Sequence, residues 1–195
     1  FRRVLFRSSG MDARLNQSGC CLIVLAEWKK KVYDFSKGIR AISSSIRRSI
    51  PAFLDSKIHH NNMLSLVIAK MHANIAGFDA AVMLDERGFV AELNDTNLFM
   101  VKNNKVYTPF PHACLPGITR GTFIELLREN NIELQERDLT LVEFINADLV
   151  FATGTNGEIT PVTEIDGRTI KCDHNFLENT KNLFEAKLPS LCEPL

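Results

Sequence analysis

The stretch Leu54-Asp-Ser-Lys57-Ile-His-His-Asn-Asn62 joins an extended segment to an amphipathic helix, and the fold prediction starts from this junction. Pro51 disfavours helix at Ile50, just before the stretch. After it, apolar residues in 63–76 recur every three or four positions, which predicts a helix that Gly77 ends. A lysine at such a junction is either a solvated charge or a partly desolvated amine that acts as a Schiff-base nucleophile. The other motifs of the chain decide between these two interpretations.

Outward from this junction, short apolar runs and helix caps alternate along the chain. A helix begins near Thr119, Thr140 and Glu143 form a capping box that opens another, and Asp173 caps a last helix that continues to Lys187. Strands or extended segments are predicted at 20–28, 38–48, 80–85, 89–92, 97–102, 106–108, 133–137, 149–153, 159–162 and 164–170. The four strands between 80 and 108 are expected to form a β-meander, and the last two a ribbon that turns at 166–167. The chain is therefore predicted to be a mixed α/β domain without internal repeats.

The composition is that of an ordinary globular protein. The 195 residues are enough for one large domain, or for one domain with a remnant of another. Lys+Arg and Asp+Glu both number 23, so the charge gives no reason to expect nucleic acid or an anionic membrane as a partner. No apolar run is long enough to span a membrane. The five cysteines form neither a zinc pattern nor a disulfide framework, which favours reduced thiols and a cytoplasmic location.

The adjacent His59 and His60 raise the question of a metal site. Neighbouring side chains in an extended segment point to opposite faces, and no carboxylate lies at ligand spacing from the pair. We therefore predict no metal ion, and expect both histidines to be wall or hydrogen-bonding residues.

Three polar clusters together indicate a cofactor. The first contains Lys57, and the second has Glu92 near the end of a predicted strand, where a carboxylate aimed into a pocket can hold a proton on a heterocyclic nitrogen. The third is a pair of anion-binding turns at 115–120 and 154–157. Each turn alone is a common structural feature. An amine, a carboxylate and two phosphate-type turns are the groups that pyridoxal 5′-phosphate requires.

The motifs resemble, in order and spacing, those of the class IV aminotransferases, which include branched-chain aminotransferases, D-amino acid aminotransferases and aminodeoxychorismate lyases. They are the Lys57 stretch, 77–85, Glu92-Leu-Asn-Asp-Thr-Asn97-Leu-Phe99, Leu115-Pro-Gly-Ile-Thr-Arg120 and Gly154-Thr-Asn-Gly-Glu-Ile-Thr-Pro161. The resemblance runs from about residue 20 to residue 170. It implies the large-domain α/β fold of the D-amino acid aminotransferase type, with a mixed sheet curled into a pseudo-barrel.

The resemblance also implies a domain organisation. A small N-terminal domain, which in the family supplies a phosphate-binding arginine and much of the substrate pocket, is expected to be mostly missing. We interpret residues 1–18 as a leader or truncation scar, 19–48 as a remnant of the N-terminal or interdomain segment, and 49–195 as the cofactor-binding large domain.

Site residues follow from the resemblance position by position. Lys57 resembles the Schiff-base lysine, which also acts as the general base and acid, and Glu92 resembles the carboxylate that pairs with the pyridine nitrogen. Ile118 and Thr119 resemble the positions whose backbone N–H groups hold the phosphate, and Thr155 resembles the hydroxyl residue that joins them. Thr155 also falls, together with its neighbour Asn156, where the family receives the substrate carboxylate.

Two departures from the family pattern concern cofactor binding. Asn62 stands about where many branched-chain enzymes have a tyrosine that contacts the cofactor, so a role for Asn62 in cofactor binding is a hypothesis. The arginines that remain do not match the phosphate-binding motif, and we interpret them as surface or interdomain charges: Arg40, Arg47, Arg48 and Arg120.

The expected activity is pyridoxal-phosphate-dependent transamination between a branched-chain L-amino acid and 2-oxoglutarate. Small-molecule amino and oxo acids would be the ligands, and the full-length protein would be a homodimer. D-amino acid transamination and aminodeoxychorismate lysis on the same fold remain open. So do a non-catalytic truncated fragment and a structural α/β module with an unused lysine.

Overall fold

The structure is a computed structural model that describes residues 2–6, 12, 14, 20–24, 27, 28 and 30–191, with the backbone alone at 2–6 and 20–23. The chain divides into two compact units, Phe1–Lys30 and Lys31–Leu195. In the first unit, β1 (Arg2–Phe6) pairs antiparallel with β2 (Cys20–Val24). The predicted strand at 20–28 thus has its regular part in its first five residues, and residues 25, 26 and 29 lie outside the described chain.

The second unit is built on a nine-stranded sheet, and the mixed sheet that the resemblance implies is confirmed. Its strands are β3 (Ile39–Ser43), β4 (Ala80–Leu84), β5 (Val90–Leu93), β6 (Asn97–Lys102), β7 (Lys105–Thr108), β8 (Leu134–Glu136), β9 (Leu149–Gly154), β10 (Glu158–Ile165) and β11 (Arg168–Thr169). Along the sheet the order is β5-β4-β3-β10-β9-β6-β7-β8, and β11 pairs with β10. Parallel pairs β3–β4, β3–β10 and β7–β8 lie among antiparallel ones, and the sheet curls into a half-barrel.

The predicted β-meander between 80 and 108 is wrong in one step. β4 pairs with β5 and β6 pairs with β7, but β6 takes β9 as its other neighbour instead of β5. A tight turn separates β5 from β6, and within this turn the N–H of Leu93 donates to the carbonyl of Thr96. β6 and β9 pair in full because both are apolar and buried over almost their whole length.

The predicted terminal ribbon is also arranged differently. The single strand β10 replaces the two predicted runs, and only β11 remains after the turn at Asp166 and Gly167. β10 continues because its first half, Glu158–Pro161, pairs with β9, and its second half, from Val162 on, pairs in parallel with β3 with a register shift between Val162 and Glu164. Parallel partners from distant parts of the chain give no local sequence signal.

The helices are α1 (Leu64–Ile75), α2 (Ile118–Glu129), α3 (Leu141–Ile145) and α4 (His174–Leu191). Their ends follow the predicted caps: Gly77 has φ +77° after α1, Thr140 and Glu143 form the capping box of α3, and Asp173 accepts from the N–H of Phe176 at the start of α4.

One face of the sheet is covered by α2, whose apolar face is buried through Phe123, Ile124, Leu126 and Leu127. Its Phe123 meets Phe99 of β6 and Phe151 of β9 edge-on, and the last two rings stack 5.2 Å apart. α1 packs on the sheet through the small residues Ala69 and Ala73. Its larger apolar side chains are exposed instead: Leu64, Val67, Met71 and Ile75.

Candidate active site

Glu92 of β5 is the buried charge around which the candidate site is built. The residue is 6% exposed. Its Oε1 lies 2.8 Å from Nε of Arg48, its Oε2 accepts from Nδ2 of Asn97 at 3.0 Å, and the N–H of Leu115 donates to the same carboxylate. Burial raises the pKa of Glu92 to about 7, against the opposing effects of Arg48 and the Leu115 N–H.

The carboxylate of Glu92 has room for one more donor. A carboxylate offers about four acceptor positions on its two oxygens. Arg48, Asn97 and Leu115 fill three of these positions. A remaining acceptor position of this kind suits an N–H group such as that of a protonated pyridine ring.

The start of α2 lies beside Glu92 and suits an anion. Gly117 is the N-cap residue, with φ −60° and ψ 144°, and the helix has no side-chain cap hydrogen bond. The first-turn N–H groups of Ile118 and Thr119 therefore lack a side-chain acceptor, while the helix dipole favours a negative group at this end. Asn97 binds this segment as well, because its Nδ2 donates to the carbonyl of Leu115 at 2.9 Å.

A second polar residue lies next to Asn97 in the sheet. Thr153 of β9 is directly opposite Asn97 of β6, so the two side chains share one face of the sheet. Thr153 is 1% exposed, and its Oγ1 is a buried side-chain oxygen without a hydrogen-bond partner in the described part of the chain. A buried hydroxyl without a partner is costly unless a ligand or water completes it, which fits a polar group bound at this end of the sheet.

Lys57 lies in the loop between β3 and α1, and its side chain is 45% exposed. Its Nζ is 3.6 Å from Oδ2 of Asp55, so its ion pair is with this neighbour rather than with Glu92. The buried Ser56 donates to the carbonyl of Ser49 and anchors the loop beside the lysine. The structure therefore places the predicted nucleophile on an anchored loop with its amine accessible.

Thr155 and Asn156 are exposed in the turn between β9 and β10, where the substrate carboxylate is expected. A neighbouring segment holds this turn. The N–H of Val32 donates to the carbonyl of Asn156 at 3.2 Å, and Nζ of Lys31 lies 2.7 Å from Glu158.

A cavity of about 390 Å³ opens between the loop that carries Lys57 and the start of α1. Of the predicted site residues, Asn62 lines it. Arg48 lines it too, so the cavity wall reaches Glu92 through this guanidinium. Lys57, Ile118, Thr119 and Thr155 are not in the lining, which also includes Ser49, Leu54, Ser56, His60 and Ile68.

The interpretation of Arg48 and Arg120 as surface or interdomain charges is wrong. The side chain of Arg48 is 9% exposed and pairs with Glu92. Arg120 is buried, and its Nη2 donates to Glu136 at 2.6 Å and to the carbonyl of Pro109 at 3.0 Å. Arg40 and Arg47 are exposed, as expected.

No role was predicted from the sequence for two further residues of the site, Asn97 and Thr153. The alternation of side chains along a strand could have indicated them, because Asn97 shares a face of its strand with Phe99, and Thr153 shares one with Phe151. A polar residue in register with buried aromatic residues indicates a polar partner at that end of the sheet.

The mixed, curled sheet has the fold of the large domain of class IV aminotransferases. The model of the family "Amino-transferase class IV" matches residues 1–165, so the chain belongs to this family.

The relatives are named as branched-chain enzymes. The chain is 53% identical over 163 residues to branched-chain-amino-acid aminotransferase-like protein 2 of Arabidopsis thaliana, covering 84% of this chain and 29% of the relative. It is 46% identical over 149 residues to a putative branched-chain-amino-acid aminotransferase of Methanocaldococcus jannaschii, covering 76% and 51% of the two chains.

Solved structures agree with this assignment. The branched-chain amino acid aminotransferase of Escherichia coli superposes with a TM-score of 0.70 at 34% identity, covering 78% of this chain and 52% of that chain. A branched-chain aminotransferase of Thermoproteus uzoniensis with norvaline gives a TM-score of 0.82 at 27% identity, covering 96% and 63%. The chain thus spans about half the length of most of these proteins, and less than a third of the Arabidopsis relative.

The described residues hold neither a membrane span nor a metal cluster. No helix in that part of the chain is long and apolar enough to cross a lipid bilayer. Within the same residues, no three or more His, Cys, Asp or Glu side chains are grouped to hold a metal ion.

Proposed function

We propose that this chain is the cofactor-binding part of a pyridoxal-phosphate-dependent aminotransferase. The observation that carries the proposal is Glu92, a buried carboxylate with one acceptor position left, beside the uncapped end of α2. When bound, pyridoxal 5′-phosphate supplies an electron-withdrawing ring that makes the Cα–H of an amino acid acidic.

Each predicted site residue would have its own role in binding the cofactor or in moving a proton. Lys57 provides the amine that binds the cofactor and afterwards moves the proton at the substrate Cα. Glu92 accepts a hydrogen bond from the ring nitrogen and stabilises its protonated form. The N–H groups of Ile118 and Thr119, with the hydroxyl of Thr155, hold the phosphate. Asn62 would contact the cofactor ring, and its position in the cavity wall supports this role.

Thr155 and Asn156 would receive the substrate carboxylate. Their turn is exposed and held by Val32 and Lys31, so its N–H groups are fixed while open to a ligand. Preformed donors of this kind bind a carboxylate at a smaller ordering cost.

For the substrates we propose a branched-chain L-amino acid and 2-oxoglutarate. The names of the relatives support the first. Two further solved structures of a branched-chain amino acid aminotransferase contain N-(5′-phosphopyridoxyl)-L-glutamate and 4-methylvaleric acid, and these ligands have the shapes of the two partners of such an exchange.

A titration of the purified chain with pyridoxal 5′-phosphate, followed by visible absorbance, tests cofactor binding. We expect the visible absorbance band of a lysine-bound pyridoxal group, and its loss in Lys57→Ala. Lys70→Ala is the matched control, since Lys70 of α1 contacts the carbonyl of Asp79 and stays outside the site. Absence of a band in the wild-type chain contradicts the proposal.

The reaction is tested by half-reactions with leucine and D-alanine and by conversion of aminodeoxychorismate. These assays use a protein that also includes the small N-terminal domain. Conversion with leucine supports branched-chain transamination. Conversion with either of the other two compounds alone assigns the chain to another member of the family. A wild-type rate in Glu92→Ala contradicts the role of Glu92 at the ring nitrogen.

We also propose that the full-length protein is a cytoplasmic homodimer. The exposed apolar side chains on α1 support association, and the free Cys114 and Cys172 support a reducing compartment. Light scattering of the full-length protein measures its mass, and a monomer at micromolar concentration contradicts the dimer.

A further inference from the structure

We propose that Asn97 is a positioning residue that fixes Glu92 and the anion-binding end of α2 relative to each other. A cofactor bound through both would then have its ring nitrogen and its phosphate held at one separation. This inference rests on the proposed function, and it gives a role to a motif residue that the site assignment leaves unused.

The contacts of Asn97 reach both halves of the site. Its Nδ2 donates to Oε2 of Glu92 at 3.0 Å and to the carbonyl of Leu115 at 2.9 Å. Both neighbours are acceptors, so the amide can take only one orientation, with its nitrogen toward them. Asn97 is 6% exposed, and buried hydrogen bonds to a carboxylate are among the stronger ones in proteins.

Gly117 lies against the amide oxygen of Asn97, on the side away from the nitrogen that donates to Glu92. A Cβ at Gly117 would collide with Oδ1 of Asn97. The φ of −60° at Gly117 is open to any residue, so the glycine is needed for space and not for backbone conformation. The N-cap of α2 can therefore approach Asn97 closely only because it has no side chain.

The sheet holds Asn97 rigidly at this point. Asn97 and Thr153 form a cross-strand pair two residues along from the stacked pair Phe99 and Phe151. The polar pair thus lies directly beside the aromatic layer under α2. A buried side chain on a strand paired on both sides, beside packed rings, has little freedom, which suits a residue that sets the position of others.

The first test needs no cofactor. The pKa of Glu92 is measured by carboxyl ¹³C NMR of the purified chain, with the resonance assigned by its loss in Glu92→Gln. Asn97→Leu removes the donor that favours the charged form, so we expect the pKa of Glu92 to rise by about one unit. Gly117→Ala pushes the amide away without touching Glu92, and we expect a shift in the same direction. This variant also keeps the test open if Asn97→Leu fails to fold.

The second test compares binding of pyridoxal 5′-phosphate with binding of pyridoxal, which lacks the phosphate. In the wild-type chain the ratio of the two affinities measures the contribution of the phosphate. If Asn97 couples the two halves of the site, Asn97→Leu lowers this ratio about tenfold, a typical coupling between sites. The matched control is Asn130→Leu at the other end of α2, where Nδ2 donates to the carbonyl of Leu126 at 2.9 Å. It should leave the ratio and the Glu92 pKa unchanged.

The results of the two tests distinguish a failure of the proposed function from a failure of the positioning role of Asn97. A wild-type chain that binds neither compound overturns the proposed function. An unshifted Glu92 pKa in both Asn97→Leu and Gly117→Ala overturns the positioning role, whether or not the cofactor binds. A shifted pKa with an unchanged affinity ratio also overturns it, because Asn97 would then act on Glu92 alone.

Discussion

At the scale of single residues, Glu92 and Arg48 form a buried ion pair in which burial and charge oppose each other. Burial raises the pKa of Glu92 to about 7 in the folded chain, above its ordinary value of 4.5. The unfolded chain therefore loses this proton at lower pH than the folded chain does. The Glu92 contribution to the free energy of unfolding is complete below about pH 4.5 and falls as the pH rises to about 7.

Substitution of Arg48 tests this balance. Arg48→Met removes the cation that favours the carboxylate, so we expect the pKa of Glu92 to rise above 7 and the loss of stability to extend to higher pH. Urea unfolding at several pH values between 5 and 9 measures it. Arg47→Met is the control, since Arg47 is exposed and donates to the carbonyl of Ser44. Equal pH profiles for the two variants would show that Arg48 does not influence Glu92.

At the scale of elements, the segment before β3 positions the turn between β9 and β10. Tyr33 is buried, and its hydroxyl lies 2.8 Å from both carboxylate oxygens of Asp95 in the turn between β5 and β6. Its neighbours Lys31 and Val32 contact the turn that contains Asn156. The segment therefore connects two turns that border the candidate site.

Tyr33→Phe tests this connection. The variant keeps the ring but loses the hydrogen bond to a carboxylate, and we expect it to lower the free energy of unfolding by about 1–2 kcal/mol. Amide hydrogen exchange at Val32 should become faster, because its hydrogen bond to Asn156 is less protected. Tyr107→Phe is the control, since the contact described for Tyr107 is between its ring and Arg137. An unchanged exchange rate at Val32 would mean that the segment is held without Tyr33.

Elements with local signals were predictable, and their neighbours in the sheet were not. Gly77, Thr140 and Asp173 mark helix ends through bonds to residues a few positions away, so the sequence is sufficient to predict them. The β-meander was wrong because strand pairing depends on which apolar edge is available, and β9 offers β6 a longer one than β5 does.

At the scale of the whole molecule, the chain spans about half the length of relatives such as the M. jannaschii protein. We propose that a small N-terminal domain of the longer protein supplies a phosphate-binding arginine, as the family resemblance implies. The second described unit by itself provides Glu92, the start of α2 and the turn after β9. These elements would bind one side of the cofactor.

The affinity for pyridoxal 5′-phosphate in the chain alone and in a protein that includes such a domain tests this division. A charge-assisted hydrogen bond to the phosphate contributes about 1.5–3 kcal/mol. We therefore expect the chain alone to bind the cofactor about 10- to 100-fold more weakly. Equal affinities would mean that the chain contains the whole phosphate site.

The mixed α/β class and the helix ends were predictable from the sequence alone, and the resemblance of its motifs to the family predicts roles for Lys57, Glu92 and Thr155. Periodicity and capping make the fold class and the helix ends visible, because these features depend on spacing along the chain, whereas the three site residues rest on the resemblance. Three features are visible only in the folded chain: Arg48 is buried against Glu92, Asn97 donates to Leu115, and β3 pairs with β10. Residues far apart in the chain are brought together by the burial of two sheet faces, and no local pattern records which of them will meet.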